Sequence, residues 1–225
     1  MINKFENIVF QGGFNTKSVA YCGVIKELEK HLDLENLKRY AGVSLGALFA
    51  TMLCIVFTSD EILNLRYEIS DILFPTPSYT LTKLFNMFMF HGMHSCSEIK
   101  YKIKAILSLK IDPYISLEEL YEETGKDLII TVYNATKKRV EYLHYQNSPD
   151  LILLDALTAS MTIPLVYSPH RIYFDVDDEY VDGSVCDEFP TWIFNDPMAL
   201  NAGSIDYTME HISDNYSCQS TLSVA

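Results

Sequence analysis

The sequence predicts a single α/β domain, with a central sheet covered by helices, and three observations carry that prediction. Short apolar runs bounded by turn residues alternate along the chain with longer segments of helical periodicity. At 225 residues the chain is long enough to bury a full core. No stretch rich in Pro, Gly or Ser divides it, and no internal repeat or low-complexity tract is evident.

Asn7-Ile8-Val9-Phe10 reads as a buried strand running into Gln11-Gly12-Gly13, and an amphipathic helix follows from about Val19 to His31. Arg39–Ala41 is a short strand, and Leu45–Phe57 is a strongly apolar helix soon ended by Asp60-Glu61. Further helices are expected at Asp60–Leu73, Ser97–Leu107, Ser116–Thr124 and Leu151–Ser160. Further strands are expected at Asp127–Tyr133, Glu141–Tyr145, Arg171–Phe174 and Tyr180–Val181. Lys137-Lys138-Arg139, between two of those strands, is most simply a solvated hairpin turn. Trp192-Ile193-Phe194 is apolar, but the stretch from Asn201 is polar and shows neither periodicity. The domain is therefore expected over residues 1–195, with 196–225 a poorly defined polar tail.

Gly42-Val43-Ser44-Leu45-Gly46 stands between a short apolar run and a helical stretch, which is the setting of a nucleophile elbow. A serine there is forced into a strained turn, with its hydroxyl clear of the sheet at the positive end of the following helix. Gly42 and Gly46 are small enough for the crowding on either side. Upstream, Gly12 and Gly13 can offer backbone N–H groups to an anion, although a tight turn is the plain alternative. Ester hydrolysis needs such donors, because its tetrahedral intermediate carries a negative oxygen. Far downstream, Tyr180-Val181-Asp182-Gly183-Ser184 delivers a carboxylate at a strand end. In a desolvated cleft Asp182 gains basicity and can take the Ser44 proton, whereas alone an Asp-Gly pair is ordinarily a hairpin turn.

Taken together, these pieces resemble the patatin-like phospholipase family. The resemblance covers roughly Asn7 to Pro190 and includes Val24-Ile25-Lys26-Glu27-Leu28-Glu29, Ser116-Leu117-Glu118-Glu119-Leu120-Tyr121 and the segment from Asp155 to Pro164. It implies a three-layer α/β/α sandwich around a central, mostly parallel sheet. It also implies a Ser44–Asp182 dyad that works without histidine, an oxyanion hole at Gly12 and Gly13, and supporting places for Lys17, Gly42, Gly46 and Gly183. The implied activity is hydrolysis of fatty-acyl esters of phospholipids or related lipids through an acyl-serine, with no cofactor, no metal and no calcium.

Two departures from the family pattern stand out. The loop Gly12-Gly13-Phe14-Asn15-Thr16-Lys17-Ser18 is one residue longer than the family's, with Phe14 or Asn15 in place of a third glycine and Ser18 in place of a fourth. Ser184 stands where a second glycine follows the aspartate. These changes keep two other readings open: a lipid-binding or regulatory pseudoenzyme, and an acyltransferase on the same scaffold.

An ordinary Ser-Asp-His triad would need a histidine after Asp182, and only His211 qualifies, in the polar tail. His170 precedes Asp182 and reads as a loop residue beside Pro169. Thirty acidic against 17 basic residues, a net charge of -13, would repel nucleic acid and disfavour anionic headgroups, so any membrane contact would rely on apolar insertion. Leu81 to Met93, with Leu84-Phe85 and Met87-Phe88-Met89-Phe90, is either a core-facing segment or an exposed patch for transient contact with a membrane or micelle surface. No apolar run is long enough for a transmembrane helix. The amino terminus lacks an apolar signal core, and five cysteines without paired spacing suggest reduced thiols in an intracellular setting. Cys22 and Cys54 look like small core residues. His91 and His94 lack partners at ligand spacing for a zinc site.

Overall fold

The computed structural model describes residues 5–13, 15–73, 81–172, 177–194, 204–205 and 221–225. Along these the chain forms β1 (Asn7–Phe10), α1 (Asn15–Leu28), β2 (Arg39–Val43), α2 (Leu45–Cys54), α3 (Ser59–Asn64), α4 (Arg66–Leu73) and α5 (Leu81–Phe90). There follow β3 (Gly92–His94), α6 (Cys96–Leu107), α7 (Leu117–Thr124), β4 (Asp127–Asn134), β5 (Arg139–Leu143), α8 (Leu153–Met161), β6 (Leu165–Tyr167), β7 (His170–Arg171), β8 (Glu179–Asp182), β9 (Ser204–Ile205) and β10 (Thr221–Val224). The protein is a mixed α/β structure whose sheet runs β10-β1-β2-β4-β5-β9. The four strands β10, β1, β2 and β4 pair in parallel, and β5 and β9 complete the sheet antiparallel.

Parallel strands need cover on both faces, which is why they read as continuous apolar runs rather than alternating ones. Ile8, Phe10, Tyr40, Leu128, Ile130 and Val132 point into a large core built with the helices. Val9, Ala41 and Ile129 point the other way, where Trp192, Ile193 and Phe194 of a short 3-10 turn (Thr191–Phe194) close the opposite face. Every residue of α2 is buried, as its apolar circumference requires. Thr58 with Glu61, and Ser116 with Glu119, form capping boxes that start α3 and α7. The chain breaks at Leu65, so the single helix expected over Asp60–Leu73 is two.

Register places the ends of β2 and β8 next to each other. β2 pairs with β4 as far as Val43 opposite Thr131, while β8, running the other way, begins its ladder with Asp182 opposite Val132. The other edge of β4 is taken by β5 from Ile130 to Asn134. β2 and β8 therefore meet end to end along one edge of β4, and the residues at their tips, Ser44 and Asp182, are brought together although 138 positions apart.

Several expectations are corrected. α1 starts at Asn15 rather than Val19, so the stretch read as a long Gly-rich loop is largely the first turn of a helix, with Lys17 on its backbone; the Lys17 side chain and Phe14 lie outside the described residues. Within the stretch expected as a poorly defined polar tail, Ser204–Ile205 and Thr221–Val224 form β9 and β10 at the two sheet edges, and Val224 is buried beside β1. Thr-Leu-Ser-Val is too short to show a period within a polar stretch, and the open edge of β1 selects it. His170 is not a loop residue but a buried member of β7. Leu81–Phe90 is an exposed helix with no buried residue, not a core-facing one, and Phe88 is 77% exposed. Residues 173–174 of an expected strand, His211 and Cys218 lie outside the described residues. Among the described residues no helix is long and apolar enough to cross a membrane.

Candidate active site

Ser44 sits between β2 and α2 with φ 54° and ψ −127°, a strained conformation for a residue with a side chain. What holds it there is the packing of its flanks. A Cβ on Gly42 would come within 2.4 Å of the Gly46 backbone, and one on Gly46 within 2.5 Å of the Phe10 and Gln11 carbonyl oxygens. Only glycine lets α2 start this close to β1. The Ser44 N–H donates to Ser160 Oγ at 2.8 Å, and Ser160 Oγ donates in turn to the Thr131 carbonyl at 2.7 Å. Ser160, near the end of α8, thus ties the elbow to β4. Its residue type alone carries no signal for that role; only its place in the segment from Asp155 to Pro164 hints at it.

The Ser44 hydroxyl donates to Asp182 Oδ2 at 2.5 Å. Asp182 Oδ1 accepts the Ser184 N–H at 2.9 Å, and the Asp182 N–H donates to the Thr162 carbonyl at 3.0 Å. Ser44 and Asp182 are only 2% and 4% exposed. Burial pushes the Asp182 carboxyl up to about 6, against the hydrogen bonds from Ser44 and Ser184 that favour its charged form. Such a carboxylate is ionised at neutral pH yet more basic than an exposed one, which suits it to accept a hydroxyl proton. Gly183 lies against the Thr131 carbonyl, where a Cβ would approach to 2.7 Å, so the turn after Asp182 also requires glycine. Among the described residues no group of three metal-ligating side chains is present.

The Gly-rich turn differs from the expectation. The Gly12 N–H donates to the Glu188 carbonyl at 2.9 Å and is engaged in holding the chain after Asp182. Gly12 instead provides close approach: a Cβ there would fall 2.2 Å from Ser184 Oγ, a buried hydroxyl without a partner of hydrogen-bond geometry among the described residues. The turn is fixed by the Gln11 N–H on the Val224 carbonyl (2.9 Å) and by the Tyr21 hydroxyl on the Gln11 carbonyl (2.7 Å). Gly13, the other expected donor, makes no hydrogen bond among the described residues. The Leu45 N–H, at the first position of α2, has no acceptor within the helix and stands directly after Ser44. The structure thus brings Ser44, Asp182, Gly42, Gly46 and Gly183 together, and places the Gly12 N–H on the Glu188 carbonyl.

A family model for patatin-like phospholipases matches residues 8–195. Among curated proteins, the chain is 27% identical over 203 residues to an uncharacterized protein, R571, of Acanthamoeba polyphaga mimivirus, covering 89% of this chain and 65% of that protein. It is 26% identical over 189 residues to the probable lipid hydrolase 463L of Invertebrate iridescent virus 6, covering 83% of this chain and 62% of that one. The chain thus spans less than two thirds of the length of these relatives. Among solved structures, VipD from Legionella pneumophila superposes with a TM-score of 0.60 at 15% identity, over 98% of this chain and 49% of VipD. At that identity the likeness is one of fold.

Proposed function

The chain belongs to the patatin-like phospholipase family, and from that membership we propose that it is a serine acyl hydrolase cleaving fatty-acyl esters of phospholipids or related lipids through Ser44 and Asp182. The observation that carries this reading is the 2.5 Å hydrogen bond from Ser44 Oγ to a buried carboxylate, at a backbone position strained to present the hydroxyl. In the first step Ser44 Oγ attacks the acyl carbonyl while Asp182 takes its proton. The oxyanion is met by the N–H groups of Gly13 and Leu45 at the positive end of α2, donors of a kind worth about 3–4 kcal/mol each. Collapse passes the proton from Asp182 to the departing alcohol and leaves an acyl-serine. Water, deprotonated by Asp182, then releases the fatty acid.

Because Ser44 and Asp182 are almost fully covered, the acyl group must be drawn into the protein. α5 offers the contact surface for that. Leu81, Leu84, Phe85, Phe88, Met89 and Phe90 are exposed, and Lys83 is its one charged residue. The helix leads into β3, which pairs with β6, and β6 begins three residues after Thr162, the residue that accepts the Asp182 N–H. With a net charge of -13, the partner surface is a zwitterionic or neutral lipid layer entered by apolar side chains rather than an anionic one.

Fatty-acid release from phospholipid mixed micelles, with calcium chelated throughout, tests the reading. Release by the wild type that Ser44→Ala and Asp182→Asn both abolish is expected. No release by a folded wild type would favour the lipid-binding pseudoenzyme, which the engaged Gly12 N–H supports. Transfer of the acyl group to an added alcohol in preference to water would favour an acyltransferase.

A further inference from the structure

A second set of reactive side chains lies outside the Ser44 site. Cys96 opens the 12-residue helix α6, directly after the cap residue Ser95, and its N–H donates to Ser168 Oγ at 3.1 Å. Ser168 stands two residues before His170 of β7, which sets that imidazole at the Cys96 end of α6, where thiol and imidazole each bear on the other's charge. His170 Nε2 lies 2.9 Å from Asp155 Oδ1 of α8, and the same oxygen takes Lys100 Nζ, one turn along α6, at 2.5 Å. Thiol, imidazole and carboxylate thus stand in series, on three elements that the tertiary fold alone brings together. His170 is only 6% exposed, so its imidazole is shielded from water, while Cys96 is half-buried.

We propose that Cys96 is a nucleophilic thiol, activated by His170 and oriented through Asp155, and that it is a covalent modification site for small uncharged hydroperoxides. Two features select that class. Half-burial admits a small reagent, and a chain of net charge -13 disfavours anionic reagents such as glutathione disulfide. In the reaction the thiolate sulfur attacks the terminal peroxide oxygen and the O–O bond breaks. Sulfur is oxidised by two electrons to the sulfenic acid, and the departing alkoxide or hydroxide takes a proton from the His170 imidazolium, leaving an alcohol or water and neutral imidazole.

The surroundings support the thiolate. Burial opposes the charged form of Cys96, but the hydrogen bond and positive charge of His170, with Ser168 and Lys100, outweigh it and hold the thiol below its ordinary value. Burial likewise opposes the imidazolium, and Asp155 and Cys96 outweigh that, holding His170 above its usual range. Glu98 on the same helix is engaged by His94 Nδ1 of β3 at 3.0 Å. The other described cysteines differ. Burial raises Cys22, Cys54 is pushed up to about 12, and Cys186, though exposed, is raised by partial burial and by Asp187.

Cys186 is therefore an internal control: more accessible, but not activated. The full chain is treated with limiting hydrogen peroxide or tert-butyl hydroperoxide from pH 6 to 8, sulfenic acid is trapped with a cyclic 1,3-diketone, and each cysteine peptide is quantified by mass spectrometry. Cys96 is expected to be labelled first, and the ratio of its rate to that of Cys186 to rise about tenfold or more as pH falls from 8 to 6, because an unactivated thiol loses about tenfold of its thiolate per pH unit. His170→Gln, checked for folding by circular dichroism, should remove that rise. If this variant fails to fold, the wild-type ratio decides alone. A Cys96 rate no greater than that of Cys186 at pH 6 would overturn the proposal. So would ready alkylation of Cys96 by iodoacetamide without reaction toward hydroperoxide, which would leave an activated thiol of another class. None of these readouts depends on Ser44 chemistry.

Discussion

Asp182→Asn should abolish turnover and make the protein more stable, and the size of the gain should depend on pH. The carboxyl titrates near 6 in the folded chain because it is buried, against 3.8 for an ordinary aspartate. A folded value raised above the unfolded one means the native state binds the proton more tightly. Stability attached to this group is thus full at low pH and is lost as pH rises from about 4 to about 6. A separation of about 2 pH units corresponds to about 3 kcal/mol. Asparagine has nearly the same shape and carries no charge. Its oxygen can accept the Ser184 N–H and its amide can donate to Ser44. At pH 8 the variant should therefore gain about 3 kcal/mol, or about 6–12 °C in Tm for a chain of this size, and at pH 4 under about 1 kcal/mol. Urea unfolding of both proteins at pH 4, 6 and 8 measures this directly. A gain that does not change with pH, or a variant less stable than wild type at pH 8, would refute the claim that a buried charge sits at Asp182.

Other expectations follow from the same geometry. In the wild type, kcat/KM should rise with pH through about 6 and then level, because protonated Asp182 cannot take the Ser44 proton; a profile flat from pH 5 to 8 would remove Asp182 as the base. Ser160→Ala leaves the buried Ser44 N–H without its acceptor and should cost about 1–3 kcal/mol of stability together with a loss of activity, read by denaturant unfolding beside fatty-acid release. Gly46→Ala should destabilise by about 1–3 kcal/mol or more, since its Cβ would strike backbone carbonyls, whereas Gly23→Ala, which meets nothing within 4 Å on α1, should stabilise by about 0.5–1 kcal/mol; melting curves of the pair separate crowding from helix propensity. Phe85→Ser and Phe88→Ser should each weaken binding to phosphatidylcholine vesicles about tenfold while leaving hydrolysis of a short soluble ester intact, measured by co-sedimentation.

The local signals that were legible in the sequence are those whose cause is local. β1, β2 and β4 are continuous apolar runs because a parallel strand is covered on both faces, and α7 begins at a serine with a glutamate three residues on because a helix start leaves N–H groups to be satisfied. Ser44 was legible because the elbow needs glycine on both sides, and Asp182 because the turn after it needs Gly183. Ser160 was not, because its role is a hydrogen bond to a backbone group 116 positions away. The same limit holds for Gly12: two glycines after a strand announce close backbone approach, but that the N–H meets the Glu188 carbonyl depends on where residue 188 returns. β10 is not legible in the sequence, because a four-residue strand is defined by the edge it joins rather than by its own pattern.

By itself the sequence determined the alternation of strands and helices, the strained elbow at Ser44 and the glycines that permit it, since each follows from steric and hydrophobic requirements acting within a few residues. Only the tertiary structure decided that β2 and β8 end tip to tip along β4, that Asp182 is buried enough to titrate near 6, that α5 shows its phenylalanines to the outside, and that Cys96, His170 and Asp155 stand in series. Distances between side chains far apart in sequence, and the loss of water around them, arise from the packing of the whole chain, and no short window of residues contains that information.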